Sequence, residues 1–147
     1  MRKIQMVVVL LVAALVVAGC GGGSAADDFQ TAVESMTADF NSLTAELQAA
    51  ETAEEAAAVL DNYAAGIPEM MERFASIEEK YSEEELMALN EDEEFTEIMT
   101  NAYGEYQNAN MNLFQVIGEL MEKYEGAEVL ENAIDNYFQA MAAQAEG

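Results

Sequence analysis

One thiol, 29 carboxylates and ten thioethers are the side chains from which this 147-residue sequence could build a reactive site, and no histidine accompanies them. Without imidazole a Ser-His-Asp triad is impossible. A haem-binding bundle with a histidine ligand, a zinc site of the usual histidine type and a ferritin-like centre built on Glu-x-x-His all lose a ligand they require. The carboxylates are so numerous that proximity nominates no pair as general acid and base. Gly21 to Gly23 is too short, and in the wrong context, for a phosphate-binding loop. The acidic stretch Asn90, Glu91, Asp92, Glu93, Glu94 and Glu97 lacks the turn glycine and alternating ligands of a calcium loop, so it reads as a solvated, helix-capping run. Soft thioethers select Cu(I) when clustered. Here Met36, Met70, Met99 and Met141 fall on the apolar seams described below, while Met71, Met87, Met111 and Met121 form no repeated cluster. Core filling is their expected role. No catalytic residue, metal site or cofactor is therefore assigned, and the chain is not expected to be an enzyme.

Cys20 takes its meaning from what precedes it. Arg2 and Lys3 start the chain positive, Met6 to Val17 is an uninterrupted apolar run, and Val17-Ala18-Gly19 ends it in small residues. The run is about a dozen residues long, whereas a helix crossing a bilayer needs roughly 20, so residues 1–19 read as a cleaved secretory signal. Val17-Ala18-Gly19-Cys20 resembles the lipobox of bacterial lipoproteins. The resemblance implies that Cys20 is diacylated on sulfur, freed by a dedicated peptidase, and acylated on its new amine by chains such as palmitate. Several acyl chains give stable anchoring, because each buried methylene contributes about 0.8 kcal/mol. Gly21 stands where enterobacterial sorting reads an aspartate as retention. By that resemblance the protein is expected in the cell envelope, lipid-anchored in the outer membrane and facing the periplasm.

With Cys20 acylated, no thiol is left for a disulfide. All 29 acidic residues follow it, against only Arg73, Lys80 and Lys123 among the basic ones: three positive charges against 29 negative, a formal −26. Such a surface repels nucleic acid and anionic headgroups, which excludes both as partners. Salt should screen this self-repulsion and stabilise the fold. Residues 20–26, rich in glycine with one serine, read as a flexible tether.

The body, 27–147, is patterned as helix throughout. Asp27 or Asp28 is expected to cap a first helix over about 28–50, whose seam is Phe29, Val33, Met36, Phe40, Leu43, Leu47 and Ala50, spaced alternately four and three. Thr52 and Glu55 form a capping box for a second helix over 53–81. Its seam of Ala56, Leu60, Tyr63, Ile67, Met70, Phe74, Ile77 and Tyr81 keeps register through Gly66 and Pro68, which predicts one kinked helix and not two. Ser82 with Glu85 opens a short turn around Leu86 to Leu89. A third helix over 93–124 carries Phe95, Met99, Ala102, Tyr106, Ala109, Leu113, Val116 and Leu120 and stops at Gly126. A last one, over 127–142, carries Ala127, Leu130, Ile134, Tyr137 and Met141. Short connections predict an all-α, antiparallel up-down bundle of four helices, or three with a loose C-terminal helix.

One arc exceeds the seams. Met111, Phe114, Gly118 and Met121 lie off the third seam, within roughly 80° at about 100° per residue, and Ile117 joins them to it. A helix packed between two others would bury such an arc; the alternative is a partner surface. The expected function is that of a lipid-anchored, non-enzymatic envelope protein, structural or protein-binding, attached to the membrane through its acyl chains. The alternative is a periplasmic carrier or chaperone that holds an apolar or cationic ligand inside the bundle. Nothing in the sequence sets an oligomeric state.

Overall fold

The computed structural model describes residues 24–145. The signal peptide expected at 1–19, Cys20 and the expected tether as far as Gly23 lie outside the described residues. Within them the elements are all helical: α1 Ala25–Ala49, α2 Ala53–Lys80, α3 Glu83–Ala88, a 3-10 turn at Leu89–Glu91, α4 Glu93–Lys123 and α5 Glu128–Ala145. None of these helices is long and apolar enough to cross a membrane.

Local chemistry sets the helix ends. α1 starts before the expected Asp27 or Asp28 cap, because Ser24 is the cap. Its Oγ accepts from the Asp27 N–H at 3.2 Å, and Asp27 Oδ2 accepts from the Ser24 N–H at 3.0 Å. This Ser-x-x-Asp reciprocity satisfies two helix-end donors, so Ala25 and Ala26 are helix and not tether. At α2, Thr52 Oγ1 accepts from the Glu55 N–H at 3.2 Å, but Glu55 Oε2 closes on the Glu51 N–H at 2.8 Å instead of completing a box with Thr52. α2 runs unbroken past Gly66 and Pro68. Ser82 and Glu85 form a full capping box on α3, and Asp92 Oδ1 caps α4 through the Phe95 N–H at 3.0 Å. α4 ends where Gly126 takes φ 79°, a left-handed conformation that glycine adopts without a Cβ penalty.

Chain direction alternates along the four long helices, as expected, but the closest packing is not between sequence neighbours. α1 packs chiefly on α4, and α2 chiefly on α5; both pairs run parallel. α1 and α2 pack together as an antiparallel pair, and α4 and α5 touch only lightly. Helices joined in sequence are antiparallel, as short connections predict; the parallel pairs are formed by helices that are not consecutive. Small buried residues account for the pairing: Ala32, Ala102 and Ala109 on α1 and α4, and Ala53, Ala56, Ala57 and Ala133 on α2 and α5, let backbones approach closely.

The core has two parts. The larger unites all four long helices through Phe40, Leu43, Leu47, Leu60, Ile67, Leu113, Leu120, Leu130 and Tyr137 among others. The smaller, toward the N-terminus of α1, joins Phe29, Val33, Ile77, Phe95 and Met99 beneath Leu89, without α5. Each fully buried leucine contributes about 1.5–3 kcal/mol relative to its exposed state.

Candidate functional site

The arc on α4 is not covered. Met111 is 61% exposed, Phe114 47% and Met121 50%, and Gly118 also faces solvent. Ile117, grouped with them by sequence, is instead only 3% exposed and belongs to the four-helix core. At about 100° per residue it lies roughly 40° from Leu113, on the boundary between seam and arc, and the fold turns it inward. The expectation that packing between two helices buries the arc fails for a geometric reason: α5 sits down on α2, leaving the α5-facing side of α4 unfilled.

A residue that the seams did not single out completes the surface. Phe138 of α5 is 40% exposed and stacks on Phe114 with centroids 5.8 Å apart and planes 8° from parallel. It lies next to the buried Tyr137, just off the last seam; an aromatic adjacent to a seam position was the available signal. The two rings bridge the opening between α4 and α5. They also end a run of ring contacts through the core: Phe138 to Tyr137 at 5.3 Å, Tyr137 to Tyr63 at 6.2 Å, Tyr63 to Phe40 at 5.9 Å, and Phe40 to Tyr106 at 5.5 Å. Burial raises the phenol pKa of Tyr63, Tyr106 and Tyr137, the last to about 12, because a phenolate there would lose its hydration.

Around the stripe the charges are of one sign. Glu131 and Asp135 precede Phe138 on its own face of α5 at spacings of seven and three, and Glu122 follows Met121 on α4; all three are exposed. The three basic side chains among the described residues lie elsewhere. Lys123 is half a helical turn from Phe114 and stands 4.6 Å from the Tyr124 ring centroid. Lys80 Nζ donates to Asp28 Oδ2 at 2.6 Å, and the Tyr81 hydroxyl donates to the same oxygen at 2.8 Å. These bonds hold the Asp28 carboxyl below its usual pKa, and the same Asp28 contact raises that of Lys80. Arg73 Nη1 donates to Ser35 Oγ at 2.8 Å and lies 3.6 Å from Asp39 Oδ2.

Two clefts flank α2. One, of about 160 Å³, is lined by Asp39, Tyr63, Gly66, Ile67, Glu69, Met70 and Arg73; the other, of about 350 Å³, opens between α1 and α2 at Asp28, Ser35, Arg73 and Lys80. Both are open to solvent and carry charged side chains at their rims, unlike the enclosed pockets that hold small molecules. Of the methionines, Met70 and Met99 are buried, and Met36, Met71 and Met141 are partly buried against the core. In the acidic stretch Asp92 serves as a helix cap, and no group of three potential metal ligands gathers among the described residues. No protein-family model, curated protein or solved structure matches the chain.

Proposed function

We propose that this is a lipid-anchored, non-enzymatic protein of a bacterial cell envelope, tethered through acylated Cys20, whose helical body holds another protein on its outer face. The observation that carries the protein-binding half is the stripe of Met111, Phe114 and Met121 with Phe138, which leaves apolar area in water although a seam of core positions runs along the same helix. The lipobox at 17–20 carries the anchoring half. The carrier reading is less well supported, because the four-helix core is closed by large side chains such as Phe40, Leu60, Leu113 and Tyr137, and the clefts are open to solvent and lie beside α2, outside that core.

Each half has its own test. Mass spectrometry of the mature N-terminus should find Cys20 carrying a diacylglyceryl thioether; an unmodified sulfhydryl or an uncleaved signal would end the anchoring claim. Phe114→Glu should leave thermal unfolding nearly unchanged while abolishing co-purification of a specific protein from envelope extracts. A large loss of stability would instead return Phe114 to the core.

A further inference from the structure

Resting on the reading that the body holds a protein partner, we infer that the α4–α5 stripe receives the apolar face of a cationic amphipathic helix of that partner. The apolar part of the site has the form of a helix-reading surface. Met111, Phe114, Gly118 and Met121 recur at three, four and three along α4, a rise of about 15 Å, equivalent to roughly three turns of a docked helix. Gly118 sits between the larger side chains with nothing within 4 Å of where a Cβ would stand, so the surface dips at its middle. Phe138 forms a second wall, its ring held parallel to Phe114. Two aromatic rings and two flexible thioethers give contact area that adapts to an apolar ridge.

Charge chooses the occupant. Glu122 lies on the α4 side, and Glu131 and Asp135 on the α5 side, with Lys80, Arg73 and Lys123 on other faces. A second copy of this chain would bring the same carboxylates, and another formal −26, against them. An anionic bilayer surface is repelled in the same way. A helix with leucine-like residues on one face and Lys or Arg flanking it satisfies both features: its apolar ridge covers the stripe, and its cations meet carboxylates that have no basic neighbour on this face. Such steering also speeds association, with a strong dependence on ionic strength.

The test uses the mature lipidated chain in zwitterionic nanodiscs and fluorescently labelled synthetic helices of about 18 residues. One is a Leu/Lys amphipathic peptide, one a scrambled Leu/Lys peptide of identical composition, and one a Leu/Glu amphipathic peptide. Anisotropy titrations should show binding of the first alone, weakening as salt rises. Phe114→Ser with Phe138→Ser should weaken it by about tenfold or more, as loss of aromatic anchors does. Glu131→Gln with Asp135→Asn should weaken it less and flatten the salt dependence. Circular dichroism verifies that both variants remain helical. Equal binding of the scrambled peptide, binding unaltered by the aromatic substitutions, or no binding overturns the inference. So does a dimer in sedimentation that the aromatic substitutions dissociate, or flotation with anionic vesicles free of peptide. If envelope extracts yield a Phe114-dependent partner while the Leu/Lys helix fails, the proposed function survives and this inference alone falls. Failure of both removes the protein-binding function as well.

Discussion

The two ends of the bundle are built differently, and the contrast shows how a chain so short of cations keeps its shape. Where α5 is present, four helices close around rings and leucines. Beyond the reach of α5, three helices and the short α3 share a smaller core, and the link between α1 and α2 is reinforced by Lys80 and Tyr81 on Asp28. Two of the three basic side chains among the described residues are thus used to tie α1 to α2. The exposed apolar stripe sits at the four-helix end, where the apolar core can hold Phe114 and Phe138 in place without further help.

The largest effect that could break this contrast is a cavity. Phe40 is buried between Tyr63 and Tyr106, so Phe40→Ala should cost about 3–5 kcal/mol, most of the stability of a domain this size. Met99→Ala, in the smaller core, should cost about 2–3 kcal/mol. Urea denaturation measures both; an equal or reversed order would mean that the two ends are not distinct in strength.

Titration separates the ends by sign. Tyr63, Tyr106 and Tyr137 have phenol pKa values raised by burial. Their contribution is complete below an ordinary phenol value of about 10 and is lost as pH climbs through the raised values. Tyr137→Phe should therefore move the alkaline unfolding midpoint upward. Asp28 has the opposite sign: lowered by Lys80 and Tyr81, it stabilises above an ordinary carboxylate value of about 3.9 and fails as pH falls toward its lowered one. Glu85, lowered by its bonds from Ser82, behaves likewise, and both belong to the three-helix end. Because protonating other carboxylates first relieves self-repulsion, the urea midpoint should rise from neutral pH to about pH 5 and drop only below about pH 4. Asp28→Asn should remove part of that acid drop. An acid limb unchanged by Asp28→Asn would show that the three-helix end does not depend on this carboxylate.

Ser82→Ala should cost about 1 kcal/mol by removing the cap of a six-residue helix, with the loss concentrated where α3 closes the smaller core. Hydrogen exchange should quicken in α3 and at the start of α4 while the amides around Leu113 keep their protection. Acceleration spread evenly over both ends would argue for one cooperative unit.

The helices were legible because their seams are regular: every seam position from Phe95 to Leu120 is buried except the half-buried Tyr106, and α2 held together through Pro68 because its register did. The pairing of helices was less legible. Alternating direction follows from short loops, but α1 on α4 and α2 on α5 follow from alanines such as Ala56, Ala109 and Ala133, which look the same in sequence as surface alanines such as Ala58 and Ala65. The stripe followed the same logic. Its α4 residues stood out by angle, yet whether they were covered depended on where α5 came to rest, and Ile117 fell to the other side of that boundary. Asp28 with Lys80 is a contact across 52 positions, invisible to any local pattern.

The smallest expected effect sharpens the contrast from the apolar end. The Tyr124 hydroxyl, packed against the four-helix core, is buried and has no hydrogen-bonding partner among the described residues. A hydroxyl held from water without a partner costs free energy, while the ring beside it still packs and still meets Lys123 Nζ 4.6 Å from its centroid. Tyr124→Phe keeps the ring and removes only the oxygen, so it should raise stability by about 1 kcal/mol, read as a higher urea midpoint with an unchanged slope. The equivalent substitution at Tyr81, whose hydroxyl donates to Asp28, should lower the midpoint instead. Opposite signs for one chemical change would show that the four-helix end is stabilised by excluding polar atoms and the three-helix end by pairing them. A loss at Tyr124 would mean that its hydroxyl does bond to something, and that the larger core is less purely apolar than its packing indicates.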